Sequence, residues 1–173
     1  MFLLQSDGRT NAGFAAYRDY VEANAARFPA GALHLARSDW YYASYDHRAP
    51  HDSRLEAMSI AERSGPGAPH WHNRLVSLEL MLRGAYNDGY ITLRYPTVRS
   101  YRLDGLAVGS GHADWRYDEL RLDGSGRLVH EVEWWERREV ARWLIIADDI
   151  EMSWQPDGGD VEIITPVGGS GRP

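Results

Sequence analysis

Glu139-Val140-Ala141-Arg142-Trp143-Leu144-Ile145-Ile146-Ala147 decides the fold. Val140, Arg142, Leu144 and Ile146 alternate with Ala141, Trp143, Ile145 and Ala147, and successive side chains point to opposite faces in a strand. Outward from it, residues 101–154 hold four strands in a row, at 115–122, 128–135, 139–147 and 150–154. Short polar or charged turns join them, the clearest being Asp123-Gly124-Ser125-Gly126.

Upstream the pattern continues. Residues 54–62 and 74–82 read as strands, the second carrying Val76, Leu78, Leu80 and Leu82 on one face. Strands follow at 90–95 and 98–103, after a turn containing Asn87 and Gly89, and a last one at 161–165. Ahead of them lies a helix over 11–28, with Phe14, Tyr17, Val21 and Ala25 on one face at three- and four-residue spacing. Thr10 or Asn11 caps it, and Pro29 and Gly31 end it. A second short helix is expected at 30–37. Asp39-Trp40-Tyr41-Tyr42-Ala43-Ser44-Tyr45 reads as a strand or an ordered loop. Strands recurring at hairpin spacing, with no helix between them, predict a mainly β domain: an antiparallel meander forming a sandwich or an open barrel, with an N-terminal α-helix. One domain is expected over 1–173, with the meander over 54–165 and a flexible tail at 167–173. Its expected core includes Leu78, Leu80, Ile91, Leu93, Leu120, Val132, Leu144, Ile146 and Ile150. Asp52 and Ser53 are expected to brace the loop before the first strand by bonding neighbouring backbone amides.

Composition narrows the function classes. There is no cysteine, which excludes disulfides and thiolate-ligated zinc. Every basic residue is arginine, and with abundant Ala and Gly this reads as high-GC coding bias and a bacterial origin. The net charge of -6 argues against nucleic-acid backbone binding, which needs a basic face. Met1-Phe2-Leu3-Leu4-Gln5-Ser6-Asp7 lacks the basic start and long apolar core of a signal peptide, and no run has transmembrane length. A cytoplasmic protein without membrane contact is expected.

Few residues offer chemistry. No G-x-S-x-G, cysteine or lysine supplies a nucleophile, and Gly109-Ser110-Gly111-His112 lacks the lysine and helix of a phosphate loop. Asp118 facing Glu131 or Glu133 across a strand pair is the equipment of a glycosidase. The plainer reading is a solvent face of acids paired with Arg116, Arg121, Arg137, Arg138 and Arg142. His70 and His72 point the same way on an extended chain and suit a divalent metal, with His51, Asp52, His112 or Glu79 as further ligands. His70-Trp71-His72, then Glu79 and Gly84, resembles the first cupin motif, though the Glu is displaced and no second motif follows. The resemblance implies a metal-dependent enzyme or small-molecule sensor. Burial of Trp71 would turn both histidines to solvent, and on that reading neither metal nor cofactor is bound.

The aromatic residues point elsewhere. Trp134 and Trp135 face opposite sides of their strand, so either both faces are covered or one ring is exposed. Exposed aromatics beside acids and amides make contact surfaces for sugars or proteins. The candidate contact residues are Trp40, Tyr42, His51, Asp52, Trp115 and Tyr117.

His51-Asp52-Ser53-Arg54-Leu55, residues 83–95 and residues 111–119 are similar to a group of uncharacterised bacterial small all-β proteins, some of them like predicted immunity proteins of toxin systems. The resemblance implies a compact β fold and a bacterial source, and assigns no functional residues. The resulting expectation is a binding protein without catalytic residues, with a protein partner of the immunity type; the cupin-like metal reading is the alternative.

Overall fold

The structure is a computed structural model describing residues 12–64, 74–105, 112–136 and 139–166. Helix α1 (Ala12–Asn24) runs into a 3₁₀ turn (Ala25–Arg27), followed by α2 (Ala30–Arg37) and a second 3₁₀ turn (Asp39–Tyr42). The strands are β1 (Arg54–Ser64), β2 (Arg74–Arg83), β3 (Gly89–Leu103), β4 (Asp114–Leu122), β5 (Leu128–Glu136), β6 (Glu139–Ala147), β7 (Glu151–Pro156) and β8 (Glu162–Ile163). The mainly β expectation holds, as does the short second helix. The aromatic segment after it is a 3₁₀ turn.

All neighbouring strands are antiparallel, in the order β2-β1-β4-β5-β6-β3-β7-β8. Because β2 also pairs with β3, the six strands from β2 to β3 close on themselves as a barrel. β7 and β8 extend outward from β3. Residues 90–95 and 98–103, expected as two strands, are one long strand that changes partner midway. Arg94 pairs with Glu151 of β7 and Val98 with Ala147 of β6. Pro96 lies between these pairings, where its missing N–H breaks no ladder.

The interior follows the alternation. Leu78, Leu80, Ile91, Leu93, Leu120, Val132 and Ile150 are fully buried, as expected. Leu144 and Ile146 are only half-buried; Trp143 and Ile145 take the inward face of β6. Trp143 lies directly opposite Val132 and Ile145 opposite His130, and directly paired residues share a face. Both halves of the β6 alternation are apolar, so the register of the neighbouring strand decides which half enters the core. Trp134 is buried whereas Trp135 is exposed beneath Arg116.

The ring has one weak joint. β1 and β4 share a single bridge, Arg54 with Asp114. Beyond it the edge of β4 meets α1. Leu120 N–H donates to the Tyr17 hydroxyl (3.3 Å), which donates to the Leu120 carbonyl (2.8 Å). Leu122 N–H donates to the Tyr20 hydroxyl (2.8 Å). Two tyrosines thus stand in for part of a strand, satisfying backbone groups that burial would otherwise orphan. This explains why Tyr17 and Val21 of the predicted apolar face are buried while Phe14, one turn earlier, is exposed.

Helix α2 is pinned from the far side. Asp149, at the β6–β7 corner, accepts from Gly31 N–H (3.1 Å) and Ala32 N–H (3.0 Å). It thereby takes first-turn donors for which the helix has no side-chain cap of its own. The backbone approaches so closely that a Cβ on Gly31 would sit 2.0 Å from the Ile150 carbonyl oxygen. Gly31→Ala should therefore cost about 1–3 kcal/mol in urea unfolding, since the contact is with rigid backbone. Tyr17→Phe keeps the ring and removes the hydroxyl. It should cost about 1–3 kcal/mol by the same measurement, the penalty for orphaning the buried Leu120 groups.

Candidate functional site

Inside the barrel, Asp118 collects donors from three directions. Tyr41 O–H (2.8 Å) and a His130 Nε2 contact (2.9 Å) meet its Oδ2, and Trp115 Nε1–H (3.1 Å) meets its Oδ1. His130 Nδ1 lies 2.6 Å from the Tyr95 hydroxyl. Burial, the largest cause, and the nearby Asp118 charge push the Tyr41 and Tyr95 phenols well above their ordinary value, so both keep their protons. The arrangement in which every group is satisfied has Tyr95 donating to Nδ1 and His130 donating from Nε2 to Asp118. His130 is entirely buried, so this chain acts as a clamp on the core. Asp118 points inward, whereas Glu119, Glu131 and Glu133 lie on the opposite face, where they are buried and do not form the solvent face expected. There Arg121 contacts Glu119 and Glu131, and Glu133 meets Arg116 and Arg142. The carboxylate pair of a glycosidase is not assembled from Asp118 and these glutamates.

Tyr41 carries the clamp to the surface. With it anchored inside, the adjacent Tyr42 bonds the Tyr17 hydroxyl (3.0 Å) and forms one wall of a cleft of about 330 Å³. Phe14, Tyr17, Tyr42 and Tyr45 line this cleft, with Arg18 and Asp39 paired across its lip (2.6 Å). Phe14 and Tyr42 meet edge to face at 5.9 Å and 73°, Tyr17 and Tyr42 at 5.8 Å and 78°. Tyr45 is 80% exposed. It also lines a second, more open cleft of about 400 Å³ with Asp46, His47, Arg48, Trp154 and Glu162. His47 stacks on Tyr86 at 4.1 Å and 14° and contacts the Asp88 carboxylate. The Tyr86 hydroxyl donates to the Ser44 carbonyl. Phe14, Tyr42, Tyr45, His47 and Tyr86 thus form an aromatic strip from α1 over the second 3₁₀ turn and the loop beyond it to the β2–β3 turn.

The candidate contact residues fall in separate places. Tyr42 belongs to this strip, and Trp40 lies beside it under the Arg48 guanidinium, 4.6 Å from its ring. Trp115 is in the core. His51, Asp52 and Tyr117 gather at the β1–β4 seam, with the His51 and Tyr117 rings 6.3 Å apart and His51 Nδ1 3.0 Å from Asp52. Asp52 braces its loop differently from expectation: it adopts a left-handed backbone with φ 59°, and its own N–H donates to the Trp115 carbonyl. Ser53 Oγ donates to the Pro50 carbonyl.

His70, Trp71 and His72 lie outside the described residues. Of their suggested co-ligands, Glu79 sits on the outer face of β2 and His112 stands edge-on to Trp143. Among the described residues no cluster of three or more His, Asp or Glu side chains is arranged to hold a metal ion. Phe14, Tyr45, His47 and Tyr86 were not among the sequence candidates. Tyr45 was legible as part of the aromatic run, but its exposure depends on Tyr41 turning inward.

No protein-family model, curated protein or solved structure matches the chain.

Beside the seam, Arg54, Glu56, His112, Asp114 and Glu136 line a cleft of about 300 Å³. Burial and then the Asp52 charge raise the Asp114 pKa above its ordinary value, against the lowering effect of Arg54. A raised carboxyl binds its proton more tightly folded than unfolded, so its contribution to stability declines as pH rises through that window. Asp114→Asn should therefore melt higher than the wild type at pH 7. The gain should vanish below the ordinary carboxylate value of 3.8, which paired melts at pH 7 and pH 3 would check.

Proposed function

We propose that this protein is a binding domain without catalytic machinery, and that it engages a protein partner through the aromatic strip built on Phe14, Tyr42 and Tyr45. The observation that carries this reading is Tyr45, 80% exposed between two clefts while Tyr41, four residues earlier, anchors in the core. Tyrosine and arginine are the residue types that dominate binding energy at protein interfaces, because a rigid amphipathic ring buries much area at little entropic cost. Here Tyr42 is held by the Tyr17 hydroxyl, and its neighbour Tyr41 by the buried Asp118 carboxylate, so this part of the strip has little order left to lose on association. The lack of a nucleophile motif in the sequence supports binding over catalysis. An immunity-type role, in which the domain occupies a toxin protein, is the concrete form implied by the family resemblance. A bacterial cytoplasm suits such a role and the cysteine-free chain.

A photoreactive benzophenone side chain at position 45 tests the reading, with the same group at exposed Tyr101 as the control. In the native host the group at position 45 should crosslink one defined protein, and the group at 101 should not. Against that purified partner, Tyr45→Ala should weaken binding at least about tenfold by calorimetry, an effect of hot-spot size. Its melting transition should stay close to wild type, since the ring is exposed. Equal crosslinking at both positions, or unchanged affinity, would refute the assignment.

A further inference from the structure

We infer that the 330 Å³ cleft between α1 and the second 3₁₀ turn receives an organic cation, a guanidinium or an alkylated ammonium, presented by the partner as a basic side chain. The inference rests on the protein-binding reading above and names what that partner inserts.

The walls favour positive charge. Phe14, Tyr42 and Tyr45 surround the space, with Tyr17 behind, and neighbouring rings stand nearly perpendicular. Aromatic faces are the negative side of the ring quadrupole, so a cleft lined by several rings attracts a cation. Burial pushes the Tyr42 and Tyr17 phenols up, so no phenolate forms there. The attraction is therefore that of neutral faces, which suits a large, weakly hydrated cation.

The polar groups of the cleft discriminate among ligands. The Tyr17 hydroxyl is engaged by Leu120 and Tyr42, and Ser38 Oγ donates to the His34 carbonyl at 2.7 Å. These two groups are already satisfied, which leaves the exposed lip at Asp39 as the main polar feature open to a ligand. Arg18, the lone basic residue among the described residues of the lining, is bound to Asp39 Oδ1, which leaves little for an anion. Among the described residues Asp39 Oδ2 has no hydrogen-bond donor, and its side chain is 83% exposed at the lip. Arg18 also shows that this carboxylate accepts a guanidinium. Its own side chain is 65% exposed, and so open a pair exchanges at little cost. The overall charge of -6 draws a cation toward the surface.

The test compares each cation with a neutral partner of the same shape. Choline is set against 3,3-dimethyl-1-butanol, and an acetylated Gly-Arg-Gly amide against its citrulline counterpart. Binding is read from the aromatic NMR resonances of Phe14, Tyr42 and Tyr45. Both cations should shift these three residues saturably and bind at least about fivefold tighter than their neutral counterparts. Tyr45→Ala and Asp39→Asn should each reduce that preference, whereas Tyr101→Ala should leave it intact. Tighter binding of the arginine peptide than of choline assigns the site to a partner side chain. Tighter binding of choline would overturn that source in favour of a free quaternary ammonium. Neutral analogues that bind as well as the cations, or no saturable shift at these residues, would overturn the cation site. A crosslink at position 45 without cation preference would overturn this inference while leaving the protein-contact reading in place.

Discussion

The Asp118 carboxylate is the interaction on which the rest of the structure depends. It lies inside a barrel of aromatic and aliphatic side chains, where an unpaired charge would be costly. Tyr41, Trp115 and His130 all turn their polar hydrogens toward it, and Tyr95 fixes His130 from behind. These residues come from the 3₁₀ turn, β4, β5 and β3. One buried charge thus fixes the relative placement of three strands and of a segment outside the sheet. A purely apolar interior would fill the same volume without specifying which residue of the Trp40–Tyr45 run faces inward.

That choice positions the surface. Successive residues of a tight turn point in different directions, so drawing Tyr41 inward leaves Tyr42 against Tyr17 and carries Tyr45 out into solvent. Tyr17 serves the fold and the cleft together. Its hydroxyl holds the open edge of β4, and its ring forms the back of the aromatic pocket. Asp149 makes a similar long-range attachment at the N-terminus of α2. The helical segment is held to the barrel at both places, which gives the aromatic strip a rigid base.

Much of the fold was legible along the chain because its signals are local. The alternation in β2 and β6, the turn at Asp123 and the apolar spacing of α1 each need only neighbouring residues to be read. Asp123 bears this out: its side chain accepts from Ser125 N–H and Arg127 N–H within its own turn. The β6 register could not be read in the same way, because Leu144 and Ile146 are as apolar as Trp143 and Ile145. The candidate site was legible only in part. Tyr42 and Trp40 stood out by residue type, but nothing local separates an anchoring tyrosine from an exposed one. Phe14 continues the apolar stripe of α1 that Tyr17 and Val21 bury, so spacing alone does not mark it as exposed.

The sequence by itself determined an antiparallel, mainly β domain behind an N-terminal helix and a second, short one, because periodicity and turn chemistry are properties of adjacent residues. Tertiary structure alone decided that six strands close into a ring, that tyrosine hydroxyls seal its weak joint, and that Asp118 and His130 meet inside it. Those outcomes join residues as far apart in the chain as Tyr17 and Leu120. Contacts of that kind depend on which faces and edges remain unsatisfied once the strands have paired, and local pattern carries no record of them.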